Sequence, residues 1–244
     1  MARPDIQTLY AVIEDTWPSA QMTTCGAFHI RRGEGGGSRV TAATLHGNLS
    51  ADQVRAAENA MTALGQQHLF MIRQGDDDLD RMLANMGYQI KDPVAIYAGS
   101  AAEIAKQPLP HKTAFPAWPP LAAQRDIWAK GGIGDARLKV MDRVKCDKIT
   151  ILGRTGEHPA GSVFLGATSG CAMIHALEVE ERFRGQGLGR YLTVAGAKWA
   201  QSIGCEYLTL LVTEANVVAN ALYASLGMEV VGHYHYRIKP ETVT

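Results

Sequence analysis

The segment ERFRGQGLGRYL, residues 181–192, contains the residue types in this chain that are best suited to bind an anion. It places Gly185, Gly187 and Gly189 at alternate positions, with an arginine on either side. A predicted strand ends just before it, and a helical apolar pattern starts within it. The first amides of a helix lack partners inside the helix and lie at its positive end, while glycine permits close approach and positive φ angles. The pattern therefore predicts a phosphate-binding turn.

The spacing excludes two common phosphate-binding motifs. A dinucleotide fingerprint, G-x-G-x-x-G, would need glycine at position 190, where this chain has arginine. A P-loop would need a lysine after its last glycine, and none follows here. A simpler alternative stays open at this point, because the glycines could serve only to let a helix and a strand pack closely.

Hydrophobic periodicity predicts the elements that must position this turn. Apolar residues recur at three- and four-residue intervals from Leu188 to Ile203, which is typical of an amphipathic helix ending near Gly204. Residues 121–143 have a helical pattern with a break at GGIG, 131–134. The other predicted elements are strands at 148–154, 160–167, 171–179, 207–212 and 229–238, and a helix over roughly 216–226.

The N-terminal half repeats part of this element order. Ser50 and Gln53 form a capping-box pattern that opens a helix to about residue 63, followed by a predicted strand, helix and strand over 68–73, 77–88 and the residues up to 97. Aligning the halves places Gly65 on Gly204 and Gly87 on Gly227. This favours duplication of one αβαβ unit, of which the first copy lacks the glycine-rich segment.

Proline content predicts where the two halves separate. Five of the ten prolines fall within residues 107–120, and proline removes backbone donors and disfavours helix in its neighbours. We therefore predict an N-terminal domain over 1–105, a Pro-rich linker over 106–120 and a second domain over 121–244. A chain of 244 residues is long enough for two domains.

Composition narrows the class of protein. The chain has 24 basic and 24 acidic residues and 46% hydrophobic residues, which predicts a globular protein with no overall field for nucleic acid or anionic lipid. The four cysteines lack C-x-x-C spacing, so we expect neither a metal site nor a disulfide framework. The charged N-terminal segment and the lack of a long apolar run indicate a cytoplasmic protein without a signal peptide or membrane span.

Two separated motifs resemble those of the GNAT superfamily of N-acetyltransferases. Residues 184–189, RGQGLG, resemble its R/Q-x-x-G-x-G/A pyrophosphate motif, preceded by LEV at 177–179. TEANVVANALYASLGM, 213–228, is similar to its second signature, with Asn216 and Tyr223 at the matching positions and methionine where an aromatic or bulky residue is usual. The resemblance covers roughly residues 121–240, ending near YHYR at 234–237.

This resemblance implies an α/β (α+β) acyl-CoA N-acyltransferase fold, with a mixed, mostly antiparallel sheet flanked by helices, in two tandem GNAT-like units of which the first is degenerate. It implies acetyl-CoA as cosubstrate and no metal. The pyrophosphate would bind the backbone of the glycine turn, and the pantetheine arm would lie between two strands that splay apart, those ending at Val179 and spanning 207–212. The implied cofactor-binding residues are Leu177, Val179, Arg184, Gly185, Gln186, Gly187, Leu188, Gly189, Arg190 and Asn216.

Two residues are candidates for proton transfer. Tyr223 occupies the family position whose phenol protonates the departing thiolate, although a tyrosine in such a helix can also be simple core. Glu178 is a candidate base. Strand alternation places its side chain on the face opposite those of His175 and Leu177, until a bulge intervenes. The alternative is that Glu178 is a solvated carboxylate at a strand end. Asn216 is suited to cap the following helix as well. We expect the strand histidines, His175, His233 and His235, to be packed or paired.

The sequence thus predicts an acetyl-CoA-dependent N-acetyltransferase that acts on a primary amine of a small molecule, an amino acid or a peptide N-terminus. A non-catalytic sensor that binds coenzyme A or another ligand is the alternative, and Tyr223 favours the enzyme. We expect no nucleic-acid or membrane partner. The acceptor amine, the role of the N-terminal half and the oligomeric state, a homodimer included, stay open, because acceptor pockets are built mainly from variable loops.

Overall fold

A computed structural model describes residues 3–240 and divides the chain into two compact units. Unit 1 comprises the described residues up to Pro18, together with Ile96–Val212 and Asn216–Val231. Unit 2 comprises Ser19–Ala95, Thr213–Ala215 and the described residues from Gly232 onward.

In chain order the elements are α1 (Ile6–Thr16), β1 (Gln21–Cys25), β2 (Phe28–Arg32), β3 (Thr44–Leu45), α2 (Ala51–Ala63), β4 (Leu69–Ile72), α3 (Asp77–Asn85), β5 (Gln89–Ser100), α4 (Ala101–Ala105), β6 (Ala114–Ala117), α5 (Ala122–Lys130), α6 (Asp135–Arg143), β7 (Asp147–Thr155), β8 (His158–Thr168), β9 (Cys171–Val179), α7 (Leu188–Ser202), β10 (Tyr207–Thr213), α8 (Val217–Ser225) and β11 (Glu229–Ile238). Short 3₁₀ turns precede β3 and α7.

The sheet of unit 1 has the strand order β6-β7-β8-β9-β10-β5-β11. Strands β6 to β9 pair antiparallel, and β9 pairs with β10 in parallel. Helices α1 and α5 pack against β8 and β9, while α7 packs against β7, β8 and β9. This mixed, mostly antiparallel sheet flanked by helices is the predicted fold class.

Helix α7 forms as its apolar spacing predicts. Leu188 and Leu192 are buried, and their side chains cover the backbone of β7 and β8 at two glycines. A Cβ atom at Gly153 or Gly161 would approach these leucines to 3.1 Å, so the absence of side chains there lets the helix lie close to the sheet. The helix ends before Gly204, which has φ +81°.

Unit 2 contains a three-stranded antiparallel sheet, β1-β2-β3, and a second group of strands in the order β4-β11-β5. Its core consists of apolar side chains from β2, α2, β4 and α3, including Phe28, Met61, Phe70, Leu79 and Leu83. Ser50 caps α2 through the Gln53 amide at 3.3 Å, as the capping-box pattern predicts, but the Gln53 side chain accepts from the Ala27 amide instead of completing the box.

The repeat predicted from the sequence is present in the element order. A three-stranded meander, β1-β2-β3, precedes α2-β4-α3-β5, and another, β7-β8-β9, precedes α7-β10-α8-β11. The four aligned glycines each follow a helix with a positive φ, between +66° and +83°. Each therefore ends its helix in the left-handed conformation that glycine adopts most easily.

The unit boundaries differ from those predicted from the sequence. Helix α1 belongs to unit 1, because Leu9, Val12 and Ile13 are buried and the helix packs on β8 and β9. The Pro-rich stretch is not a linker between units: Ala114–Ala117 forms β6, which pairs with β7 at the edge of the unit 1 sheet. An edge strand tolerates proline, since one of its sides needs no donors.

Within residues 3–240, none of the helices combines the length and the apolar character needed to cross a membrane.

Candidate functional site

Strands β9 and β10 separate at one end of their pairing. Their parallel register runs from Tyr207 with Cys171 to Leu210 with Ile174. Both strands continue beyond this point, β9 to Val179 and β10 to Thr213. Of residues 175–179, His175, Glu178 and Val179 pair with β8, and the described register of β9 with β10 includes none of the five.

A β-bulge begins where this separation begins. The register of β8 with β9 shifts between Ser162 and Phe164, and Ala176 on β9 has φ +50°. Its carbonyl oxygen accepts a hydrogen bond of 2.7 Å from Nε1 of Trp128 in α5. The bulge interrupts the alternation of side chains along β9, as expected, and redirects the strand end that carries Leu177, Glu178 and Val179.

The glycine turn leaves a set of backbone donors exposed. Gly185 has φ +74° and Gly187 has φ +83°, and α7 begins at Leu188. Helix hydrogen bonding starts with the Tyr191 amide, which donates to the Gly187 carbonyl at 3.1 Å. Among the hydrogen bonds described for residues 3–240, none has the amide of a residue from 185 to 190 as donor. These amides, at the positive end of a helix, form a cradle suited to an anion.

The two arginines that flank the glycines have protein partners. Arg184 donates from Nε to the Val179 carbonyl and from a terminal nitrogen to Glu178, both at 3.0 Å. Arg190 donates to Ser225 Oγ at 3.1 Å and to the side chain of Gln107. Arg184 thus joins the turn to the end of β9, and Arg190 joins α7 to α8. Because both side chains have protein partners, the cradle consists of main-chain donors.

Glu178 lies at the edge of an open cleft. Its side chain is 18% exposed and packs against Gly131, where an added Cβ would come within 2.6 Å of its carboxyl carbon. The cleft has a volume of about 490 Å³ and contains three carboxylates and three cationic side chains. It is lined by Ile127, Lys130, Gly131, Glu178, Glu180, Glu181, Arg182 and Arg184. Glu178 is therefore accessible, and its carboxylate is held by Arg184.

Tyr223 lies on α8 and is 6% exposed. Burial raises the pKa of its phenol to about 12. No hydrogen bond of its hydroxyl is found among the described residues, and its ring centre is 6.0 Å from that of Tyr97. A phenol in this setting keeps its proton at neutral pH and has a hydroxyl that can interact with a bound molecule.

Polar contacts fix the start of α8. Asn216 caps the helix, since its side-chain oxygen accepts from the Ala219 amide at 3.1 Å. Its carbonyl accepts from the Asn220 side chain at 2.8 Å, and the Asn220 side-chain oxygen accepts from the Tyr97 hydroxyl at 3.0 Å. The helix that carries Tyr223 is thereby tied to β5.

The glycine turn, the end of β9 and α8 meet at Gly189. A Cβ at this position would lie 3.4 Å from Leu222 and 3.9 Å from Leu177. The structure thus brings the cradle, the strand end and the helix of Tyr223 together. Glu178 belongs to the cleft beside α5, and the described contacts do not join it to Tyr223.

Sequence reasoning did not identify Trp128, Tyr97, Lys130 or Gly131 as neighbours of the site. The GGIG break predicts only a helix end, although a tryptophan just before a glycine turn also indicates a helix end anchored in the core. The three strand histidines are packed or paired as expected: His175 Nε2 is 2.8 Å from Thr16 Oγ1, His233 is 3.0 Å from Glu214, and His235 is 2.8 Å from Asp80.

The fold is similar to that of solved acetyltransferase structures. A GCN5-related N-acetyltransferase from Kribbella flavida is similar over 98% of both chains, with a TM-score of 0.74 and 15% identity. A tandem GNAT protein from the clavulanic acid biosynthesis pathway is similar over 99% of this chain and 91% of its own, with a TM-score of 0.63 and 14% identity. These likenesses concern the fold alone.

The family model of the Acetyltransferase (GNAT) family matches residues 115–228, so this segment of the chain is a GNAT domain. Two curated proteins share shorter stretches. "Uncharacterized N-acetyltransferase YobR" of Bacillus subtilis (strain 168) is 36% identical over 61 residues, 25% of each chain. "Mycothiol acetyltransferase" of Thermobispora bispora is 42% identical over 62 residues, 25% of this chain and 21% of its own. The aligned stretches thus span a quarter or less of these relatives.

Proposed function

We propose that this protein transfers an acetyl group from acetyl-CoA to a primary amine of a small molecule, an amino acid or a peptide N-terminus. The observation that carries the proposal is the cradle of unpaired amides over residues 185–190, placed beside the opening between β9 and β10. The match of residues 115–228 to the GNAT family model supports acetyl-CoA as the molecule that would use both features.

The residues present fit this cosubstrate. A Cβ at Gly185 would have no heavy atom within 4 Å, so the turn has open space in front of its backbone. We expect the amides of residues 185–190 to bind the pyrophosphate and the backbone of Leu177 and Val179 to pair with the extended arm. The cosubstrate supplies a thioester, whose carbonyl carbon an unprotonated amine can attack.

Three protein groups can assist that attack. A backbone N–H at the end of β9 can stabilise negative charge on the thioester oxygen. Tyr223 can donate its proton to the departing sulfur, because burial holds the phenol in its protonated form. Glu178 is the candidate to accept a proton from the acceptor amine, directly or through water, from its position in the cleft.

The proposal is tested by titrating the full chain with acetyl-CoA and coenzyme A in a calorimeter, beside the variant Gly187→Glu. The added carboxylate places a negative charge in the cradle, so we expect binding to fall by at least 100-fold. Gly204→Glu is the matched control, because it adds the same charge at the opposite end of the same helix and at a similar φ, +81° against +83°.

Both variants should lose similar stability, and only Gly187→Glu should lose the ligand. If the parent protein does not bind acetyl-CoA, or if both variants bind it equally, the proposed site is wrong. A screen of amines, amino acids and short peptides for consumption of acetyl-CoA then identifies the acceptor. Tight binding without turnover of any acceptor would instead support a coenzyme A sensor.

A further inference from the structure

We propose that Trp128 is a positioning residue for the acyl-donor site: its indole N–H fixes the β9 bulge and thereby keeps the strand end free from β10. The inference rests on the proposed function, in that the open strand end is expected to bind the cosubstrate. Trp128 is fully buried in α5, and its indole Nε1 lies 2.7 Å from the carbonyl oxygen of Ala176.

Ala176 needs an external partner to keep its conformation. Its φ of +50° lies in the left-handed region, which alanine adopts reluctantly because its Cβ comes close to the backbone. Its carbonyl also lies within the bulge, where the pairing of β8 with β9 is interrupted. The Trp128 N–H gives this carbonyl a hydrogen bond at the bulge, and the indole satisfies its own donor in the same contact.

Helix α5 also contacts β8, the strand that faces β9 across the bulge. Gln124 is fully buried, and it donates to Ser162 Oγ at 3.1 Å and accepts from Thr150 Oγ1 at 3.0 Å. Ser162 is the β8 residue where the register shift begins. The helix therefore contacts both strands of the bulge with hydrogen bonds from side chains that have little freedom to move.

The end of α5 contacts the residues that follow the bulge as well. Lys130 Nζ lies 2.9 Å from Glu180, and Gly131 provides the surface on which Glu178 packs. The amide of Ile133 donates to the Trp128 carbonyl at 2.7 Å, which closes the turn after the helix. Trp128 is thus placed where a change in its hydrogen bonding acts first on the backbone of residues 176–180, while it makes no described contact with the glycine turn itself.

The experiment compares Trp128→Phe with the parent in the full chain. Phenylalanine keeps an aromatic ring in the core and removes the N–H, leaving the Ala176 carbonyl without its donor. We expect about tenfold weaker binding of coenzyme A by calorimetry. In the unliganded protein, we expect faster amide hydrogen exchange over residues 175–180 and unchanged exchange in α7.

The control is Trp199→Phe, a half-buried tryptophan of α7 whose indole has no hydrogen bond among the described residues. It should leave both readouts unchanged. Adding Ala176→Gly to Trp128→Phe should restore a large part of the affinity, because glycine holds a positive φ without help. A double variant that binds no better than Trp128→Phe would assign Trp128 to core packing alone and overturn the proposal.

If Trp128→Phe does not fold, Ala176→Val decides the question with the indole in place. A β-branched residue opposes φ +50°, so this variant should also weaken coenzyme A binding and speed exchange over residues 175–180. Unchanged affinity and exchange in a folded variant would contradict the inference. A parent that binds no coenzyme A would refute the proposed function, while the exchange comparison would still test the role of Trp128 in the bulge.

Discussion

Tyr223 shows at the scale of one residue how burial selects a chemical role. The same burial that makes the phenol a poor anion, with a pKa of about 12, makes it a stable carrier of a proton at neutral pH. Its neighbour Tyr97 is also buried, but its hydroxyl donates to Asn220. The two rings are chemically alike, and their hydrogen bonds distinguish a candidate acid from a structural residue.

Tyr223→Phe should lower kcat by about 100-fold and change the KM for acetyl-CoA little, because the hydroxyl acts on the departing sulfur. Steady-state kinetics measure both constants. In the parent, ionisation of this phenol should cause no loss of kcat below about pH 10, since its pKa lies near 12. Tyr97→Phe, whose ring centre is 6.0 Å away, is the control. Equal losses of kcat in both variants would reduce Tyr223 to a packing role.

The sequence predicted the types of the site residues better than their contacts. The order of glycines, asparagine and tyrosine could be read along the chain, because each occupies a fixed place relative to one turn or one helix. Trp128 and Gly131 could not, since their importance comes from β9, which lies more than 40 residues later in the chain. Arg184 contacts Val179 and Glu178, which are near in sequence, whereas Arg190 contacts Ser225 and Gln107, which are distant. The glycine motif alone gives no indication of these partners.

At the scale of elements, local sequence signals end the helices, and ion pairs join some helices to strands. Helix α3 is the clearest case within unit 2. Asp80 accepts hydrogen bonds from His235 and from Arg237 of β11, the latter through two nitrogens at 2.7 and 3.0 Å. The hydrogen bonds from Arg237, the largest effect, and from His235 lower the pKa of Asp80 below its ordinary value of 3.8.

A lowered pKa in the folded state stabilises the fold above the unfolded-state value, and that stability is lost as pH falls through the folded-state value. We therefore expect Asp80→Asn to reduce the free energy of unfolding by about 1 kcal/mol at pH 7. The difference from the parent should shrink below about pH 4. Urea denaturation at several pH values measures it.

Asp78→Asn is the matched control on the same helix, because Asp78 pairs with Arg81 on the surface, with side-chain exposures of 80% and 74%. Its substitution should change stability little. A loss for Asp80→Asn that stays constant down to pH 2 would show that the ionisation of this carboxyl does not contribute.

The whole molecule depends on contacts between distant parts of the chain. Ile13 of α1 is 3% exposed and belongs to unit 1, although it lies about 100 residues before the segment that matches the family model. Ile13→Ala should lower the free energy of unfolding by about 2 to 4 kcal/mol through lost burial and a residual cavity. Denaturant titration tests this against Ile90→Ala, a residue 55% exposed. Similar effects of the two substitutions would contradict the assignment of α1 to the core of unit 1.

Element types and their order were predictable because hydrophobic periodicity is a local property. The elements predicted after residue 120, the α2-β4-α3-β5 order and the helix ends at glycines follow from windows of a few residues, and the duplication follows from aligning the two halves. Elements α1, β1, α4 and β6 were not predicted. The unit boundaries were not predictable in this way. The prolines predicted a connector where the structure has an edge strand, and the sequence of Ile6–Thr16 does not indicate which sheet that helix covers.

Strands β5 and β11 each begin in one unit and end in the other. The first and longest stretch of unit 2 to be synthesised is residues 19–95. Unit 2 is incomplete at that stage, because residues 232–238 of β11 have not yet been made. Translation is directional, and domains made first usually fold first. Here unit 2 lacks residues 232–238 of β11 until the C-terminal half has been made, so we expect this unit to be completed only late in biosynthesis.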